Sequence, residues 1–81
     1  MPAQFKTGDA IWYVLPEGAN FGNGGKKRPG IIVNDWNSAE YANIVVFVGG
    51  INDLKEAGDG TYWGTSVRFD PNGAPDTFHP R

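Results

Sequence analysis

Residues 43–50 read Asn-Ile-Val-Val-Phe-Val-Gly-Gly, a run of β-branched and aromatic residues closed by two glycines. Neighbouring side chains of an extended chain point to opposite faces, so apolar side chains occupy both faces of this segment. The two sets are Ile44, Val46 and Val48 on one face, and Val45 and Phe47 on the other. A strand that is apolar on both faces must be covered on both. We therefore expect it in the middle of a sheet or at a contact between subunits.

The composition limits how such a chain can be stabilised. Its 81 residues suffice for one domain with one core. There is no cysteine, which excludes disulfides and thiolate metal sites. Three Trp, three Tyr and five Phe remain, and burying each would contribute about 2–3 kcal/mol. Association of several copies is the other expected source of stability, so we expect a homo-oligomer.

Charge and hydropathy exclude several classes of function. The first six residues contain no apolar run after a charge, and no segment reaches the roughly 18 apolar residues of a membrane helix. We therefore expect a soluble chain without a secretory leader or a membrane anchor. The net charge is −2, and no recognition helix is predicted. These two features argue against a sequence-specific DNA-binding protein.

The remaining strands are predicted from apolar alternation between turn residues. We expect strands at residues 10–15, 31–35 and 61–69, and a last short strand around Thr77 and Phe78. The second and third strands should form an antiparallel hairpin, and residues 70–73, Asp-Pro-Asn-Gly, should form a type I turn. Four or five short strands joined by glycine-rich loops predict an all-β fold, a small and strongly bent SH3-like barrel.

Alternation also predicts which side chains face the core. In the first strand one face carries Ile11, Tyr13 and Leu15. In the strand at 61–69 we expect the buried face to carry Trp63, Thr65, Val67 and Phe69. Residues 1–7 are interpreted as an arm that leads into the first strand.

The loop before the second strand is the first candidate binding site. It contains Gly24, Gly25, Lys26, Lys27 and Arg28. Glycine amides can form a nest for phosphate oxygens, and the basic side chains would add charge. The spacing does not match a Walker A loop. The alternative is a mobile, solvated hairpin loop with a basic end.

Neighbouring aromatic residues form the second candidate. Trp12 precedes Tyr13, and Tyr62 precedes Trp63, so each pair must divide between the two faces of its strand. At least two large rings should therefore lie on the outer face. Trp12, Tyr62 and Trp63 are the candidates for stacking on a base or anchoring a partner. The alternative is a partly wet outer face or packing against a second subunit.

Acidic residues and the single histidine support neither a metal site nor an active site. The spacing of Asp53, Glu56 and Asp59 does not fit an EF-hand, so we expect a solvated acidic loop. His79 lies near the chain end without a cysteine to activate, and we expect its ring to pack on the barrel and bond to the backbone. We therefore expect no enzymatic activity, metal or cofactor.

Short motifs along most of the chain resemble a group of small bacteriophage proteins. The tail at residues 69–80 is similar to their ending, an aromatic-Asp segment, a Gly-x-Pro turn and a Gly-Thr-Trp-His-Trp-Pro run. Residues 6–18 and 28–33 are similar to their opening and to their Arg-Pro-Ala-Ile-Val strand. Asp76 and Phe78 depart from the pattern, at a tail glycine and a tail Trp, and the second tail Trp is absent. The resemblance implies phage origin and carries no activity.

Two functions remain open on these grounds. The first is a non-enzymatic binding protein in the cytoplasm of the infected bacterium, capturing a small anionic, nucleotide-like ligand or a host protein and so countering host defence. The second is a structural virion subunit, such as a capsid decoration protein. Acidic composition and a strand that is apolar on both faces suit the second equally well.

Overall fold

The computed structural model of the protein describes residues 5–81, apart from the side chain of Glu56. Five strands make up most of it: β1 (Ala10–Val14), β2 (Lys27–Asn34), β3 (Tyr41–Phe47), β4 (Thr61–Phe69) and β5 (Thr77–Pro80). Single 3-10 turns lie in the loops at Asn20–Gly22, Gly50–Asn52 and Lys55–Ala57. In this part of the chain no helix is long and apolar enough to cross a membrane.

The strands form a closed barrel in the order β1-β2-β3-β4-β5. Consecutive strands are antiparallel from β1 to β4, and β5 returns antiparallel to β1. The last contact is parallel and short, because β5 meets β4 at only two residue pairs, Arg68 with Thr77 and Phe69 with Phe78. The all-β barrel predicted from the sequence is confirmed, and its small size is consistent with an SH3-like barrel.

The strand at the centre of the sequence pattern is covered on its inner face. β3 lies between β2 and β4, as expected, and its inner side chains Ala42, Ile44 and Val46 are fully buried. On the outer face Val45 is half-buried, and Phe47 keeps 49% of its surface exposed. Within one chain, therefore, the inner face of β3 is covered and its outer face is only partly covered.

The core is rich in aromatic rings, as the composition predicts. Tyr13 is buried in it, and so are Ile11 and Leu15 on the same face of the first strand. Phe5 is also buried, with its ring centroid 4.9 Å from that of Phe78 and 5.3 Å from that of Phe69. The interpretation of residues 1–7 as an arm is therefore wrong at Phe5, and residues 1–4 lie outside the described part.

β4 contains one residue more than its partner strand requires. Ala42 pairs with Val67, and Ile44 pairs with Gly64, so two steps along β3 correspond to three along β4. The extra residue is accommodated near Ser66, whose φ of 50° is left-handed. Such a β-bulge interrupts the alternation of faces along the strand.

Because of the bulge, the buried face of β4 differs from the predicted one. Val67 faces the core and Phe69 packs against it, as expected, but Trp63 and Thr65 lie on the outside. Trp63 keeps 53% of its surface exposed. The prediction failed because one inserted residue reverses which side chains point inward. Asn43 stabilises the bulge, since its Oδ1 accepts the Ser66 amide at 2.8 Å.

The boundaries of β2 differ from those expected. β2 begins at Lys27 instead of Ile31, because it pairs with β1 as far as Lys27 opposite Val14. Two basic residues assigned to a loop therefore belong to a strand.

The turn after β4 is as predicted: the Gly73 amide donates to the Asp70 carbonyl at 3.1 Å.

Gly30 is the position in β2 where the barrel tolerates no side chain. A Cβ there would lie 2.6 Å from the Val45 carbonyl oxygen and 3.1 Å from Ile11 Cδ1. We expect Gly30→Ala to lower the free energy of unfolding by about 2 kcal/mol or more, measured by urea denaturation, because the strand backbone would have to move. Gly18→Ala is the control, since a Cβ at Gly18 meets nothing within 4 Å. Equal midpoints for the two variants would contradict this account of β2 packing.

Candidate functional site

We call residues 24–28 the glycine–basic loop; its last residue, Arg28, lies in β2 and pairs with a buried carboxylate. Its Nε donates to Asp53 Oδ2 at 2.7 Å, and its Nη2 donates to Asp53 Oδ1 at 2.9 Å. Asp53 is 1% exposed, while the Arg28 side chain is 26% exposed. The two parallel bonds match the planar guanidinium to the carboxylate. Arg28, a predicted ligand-binding residue, is thus engaged within the protein.

Asp53 accepts further bonds from two loops. The Gly49 amide donates to Oδ2 at 2.5 Å, and Asn23 Nδ2 donates to Oδ1 at 2.9 Å. The Arg28 guanidinium, with these donors, lowers the pKa of Asp53 to about 2. The Asn20 amide donates to the Asp53 carbonyl at 2.8 Å. The expectation of a solvated acid is therefore wrong at Asp53, which ties residues 16–26 to residues 48–60.

Two backbone amides of this loop are hydrogen-bonded within the chain. The Gly25 amide donates to the Leu15 carbonyl at 2.9 Å, and the Lys26 amide donates to the Asn23 carbonyl at 3.1 Å. A Cβ at Gly24 would lie 2.9 Å from the Glu17 carbonyl oxygen, so glycine is needed there for close backbone approach. Two amides of the predicted phosphate nest are therefore occupied by the fold, while the Lys26 and Lys27 side chains are exposed.

The three candidate aromatic residues occupy different surroundings. Trp12 lies half-buried on the outer face, with the Arg81 guanidinium carbon 4.8 Å from its ring centroid. Tyr62 packs against the core, and its ring centroid is 5.7 Å from that of Tyr13. Trp63 lies on the outer face. The structure therefore places two of the three on the outside, as the alternation requires.

These rings belong to a larger surface that we call the outer apolar face. Its members are six of the apolar side chains that point outward from β1 to β4: Trp12, Pro29, Ile31, Val45, Phe47 and Trp63. The strand register aligns Ile31 with Val45 and Val45 with Trp63, and sets Trp12 beside Pro29. Ile31 is 42% exposed and Phe47 is 49% exposed. The candidate residues missed Ile31 and Phe47, which simple alternation in β2 and β3 would have assigned to the outside.

A buried tyrosine closes the barrel beside β5. The Tyr13 hydroxyl donates to Asp76 Oδ1 at 2.5 Å. Burial, together with the neighbouring Asp76 carboxylate, raises the pKa of Tyr13 far above its usual range, so the phenol stays protonated. Asp76 has a left-handed φ of 60°. The residue that departs from the phage pattern in the tail thus has a structural contact.

His79 is held without the expected backbone bond. Its ring lies near Gly73, with Cε1 3.7 Å from the position of a Cβ there. Its Nδ1 is buried and has no hydrogen-bond partner among residues 5–81. Burial lowers the pKa of His79, and the charge of Lys27 lowers it further, so the imidazole is neutral at pH 7.

The acidic loop does not gather carboxylates for a cation. Among the described residues no group of three or more metal-ligating side chains is close enough to hold a metal ion. Asp59 Oδ1 accepts from the Thr61 amide and from the Thr61 hydroxyl, both at 3.0 Å, and so caps the start of β4. The expectation for Glu56 lies outside the described structure, which does not include its side chain.

Comparison with known proteins gives no further assignment. No family model, no curated protein and no solved structure matches the chain.

The Asp53–Arg28 pair should carry a large share of the stability of both loops. We expect Asp53→Asn to lower the free energy of unfolding by about 2–4 kcal/mol in urea denaturation, because it leaves Arg28 without its counter-charge. Asp59→Asn makes the same charge change at an exposed residue of the same loop and should cost less than about 1 kcal/mol. Similar losses for the two variants would show that Asp53 has no special role.

The same carboxylate predicts a dependence of stability on pH. The folded pKa of Asp53 is about 2, below the ordinary 3.8, so its ionised form stabilises the fold fully above pH 4 or so. This contribution is lost as the pH falls towards about 2. Thermal midpoints measured from about pH 5 to pH 2 should therefore fall more steeply for the wild type than for Asp53→Asn. Parallel curves would contradict the lowered pKa, since Asp35 and Asp59 contribute equally to both proteins.

Proposed function

We propose that this chain is a non-enzymatic binding protein that recognises another protein through the outer apolar face. The observation that carries the proposal is the row of exposed apolar side chains across β2, β3 and β4. Ile31, Phe47 and Trp63 each keep at least 42% of their surface exposed, and all three adjoin Val45 on one sheet. Contiguous apolar surface of this kind marks interaction sites in soluble proteins.

The closed barrel favours a different protein as the partner, because the fold has no evident need for a second copy of this chain. The strands close into a barrel, in which β5 pairs with β1 at four residue pairs and with β4 at two. The core side chains are buried within one chain. These features favour folding without a second subunit, which leaves the outer apolar face available to a partner. The homo-oligomer expected from the sequence stays a prediction.

The contacts of the glycine–basic loop favour a protein partner over an anionic ligand at that loop. Arg28 and the amides of Gly25 and Lys26 are bonded within the chain. Lys26 and Lys27 remain as exposed charges, which can steer a partner.

The resemblance to small bacteriophage proteins suggests where the partner is found. We propose a protein of the bacterial host, met in the cytoplasm during infection, and a role in countering host defence. The same face could dock on a capsid protein, which is the alternative function. The two differ in whether the chain is a component of purified virus particles.

The test compares two lysine substitutions at exposed apolar residues. Phe47→Lys places a charge in the outer apolar face. Ile51→Lys introduces the same charge outside that face, at a loop residue that is 62% exposed. We expect the wild type and Ile51→Lys to retain one host protein in equal molar amounts. With that protein purified, Phe47→Lys should bind at least about tenfold more weakly.

Three results would overturn the proposal. The first is retention by Phe47→Lys that equals the wild type. The second is a native mass spectrum in which the full chain forms an oligomer that Phe47→Lys alone dissociates, because the face is then covered by a second copy. The third is the chain as a stoichiometric part of purified virions, which would support the capsid alternative.

A further inference from the structure

Two clefts flank the bulge of β4, at the end of the strand away from Phe47. The first, of about 350 Å³, is lined by Trp36, Ser38, Tyr41 and Ser66. The second, of about 380 Å³, includes Ser66, Arg68 and Asp76 in its lining. Ser66 belongs to the lining of both, so the two clefts adjoin at this residue. We call the surface formed by Trp36, Tyr41, Ser66 and Arg68 the bulge site.

Two exposed rings line the first cleft. Trp36 is 57% exposed and Tyr41 is 43% exposed. Ser38 fixes the turn between them, because its Oγ accepts the amides of Glu40 and Tyr41 at 3.0 and 3.2 Å. Exposed aromatic faces held by a rigid turn are a stacking surface for a planar ring.

Arg68 supplies an unpaired positive charge beside these rings. It lies directly opposite Tyr41 in the strand register, so the two side chains are neighbours on the outer face. Within residues 5–81, the Glu56 side chain excepted, its guanidinium makes no hydrogen bond and no ion pair, in contrast with Arg28. A free guanidinium can bind a phosphate or a carboxylate with two parallel bonds.

Backbone strain is concentrated at the same place. Trp36 and Asn37 have left-handed φ values of 54° and 52°, and the Ser38 amide closes their turn on the Asp35 carbonyl at 2.9 Å. This is the form of a type I′ turn, which strongly favours Asn and Gly in the two central positions. Ser66, at φ 50°, is also left-handed. Strain held by surrounding bonds is common where a site needs a particular side chain in a particular place.

The side chains that hold this strain are bonded to the backbone. Asn34 Oδ1 accepts the Trp36 amide at 2.9 Å, and Asp35 Oδ1 accepts the Asn37 amide at 2.8 Å. Asn43 holds Ser66 in the same way from the neighbouring strand. A polar residue at position 36 would meet the requirements of the turn better than a tryptophan does. The exposed indole is therefore not explained by the turn itself.

We propose that the bulge site binds a small molecule that combines a planar ring with an anionic group, the chemistry of a nucleotide. The ring stacks between Trp36 and Tyr41, Arg68 binds the anionic group, and the Ser66 hydroxyl offers a hydrogen bond beside it. This site lies apart from the glycine–basic loop, and it adjoins the outer apolar face at Trp63, which lines the second cleft. It adds a ligand to the proposed protein-binding function.

The test is a titration of the full-length chain with AMP, followed in amide and side-chain ¹H–¹⁵N spectra. We expect saturable shifts of the Trp36 indole N–H and of the Arg68 Nε–H. Adenosine, which lacks the charge, and inorganic phosphate, which lacks the ring, should each bind at least about tenfold more weakly than AMP.

Two variants separate a ligand site from a structural role. Arg68→Gln should weaken AMP at least about tenfold without changing the thermal midpoint, because Arg68 has no bond to lose. Trp36→Asn should also weaken AMP, while its midpoint stays equal to the wild type or rises, because asparagine suits the left-handed turn. Lys26→Gln is the matched control in the glycine–basic loop and should bind AMP as the wild type does.

Three outcomes would overturn the bulge site. They are the absence of a saturable shift at millimolar AMP, shifts confined to the Lys26 and Lys27 amides, and AMP binding by Arg68→Gln equal to that of the wild type. Trp63 of the outer apolar face lines the second cleft, but Phe47 lines neither cleft. Failure of the Phe47→Lys experiment therefore leaves these readouts unaffected.

Discussion

The two long loops of this barrel depend on one buried carboxylate. Asp53 lies at 1% exposure, where an unpaired charge would be strongly unfavourable, and four hydrogen bonds to its side chain compensate the loss of water. The donors come from Asn23, Arg28 and Gly49. Since these lie in or next to different loops, neither loop can keep its conformation independently. A glycine-rich segment that would otherwise be mobile is thereby fixed at the end of a closed sheet.

This interaction changes the meaning of the basic cluster in the sequence. Lys26, Lys27 and Arg28 are adjacent in the chain and carry the same charge, which favours a common role in binding an anion. In the fold, Arg28 is a strand residue opposite Tyr13 and turns to Asp53, while the two lysines remain in water. The sequence shows that the cluster is basic, but it does not show that Arg28 pairs with Asp53, 25 residues further along the chain.

The sequence predicted the parts of the fold that local chemistry determines. The inward set of Ile11, Tyr13 and Leu15 follows from alternation, and the turn at residues 70–73 follows from an aspartate, a proline and a glycine at set positions. The buried face of β4 was beyond such reasoning. Its alternation is regular in the sequence, and the register changes only because Asn43 of the neighbouring strand holds an extra residue at Ser66.

The candidate surfaces were predictable to different degrees for the same reason. The outer apolar face follows from alternation once the strands are known, so Trp12 and Trp63 could be assigned to it from neighbouring aromatic pairs. Predicting the bulge site requires two facts that alternation does not supply, the displaced register of β4 and the left-handed turn at Trp36. The first sets Arg68 opposite Tyr41, and the second sets the position of the exposed Trp36 ring. Arg28 pairs with a buried acid, whereas Arg68 makes no hydrogen bond or ion pair within the described part of the chain and lies beside two exposed rings. That contrast is the physical reason to look for a ligand at the bulge and not at the glycine loop.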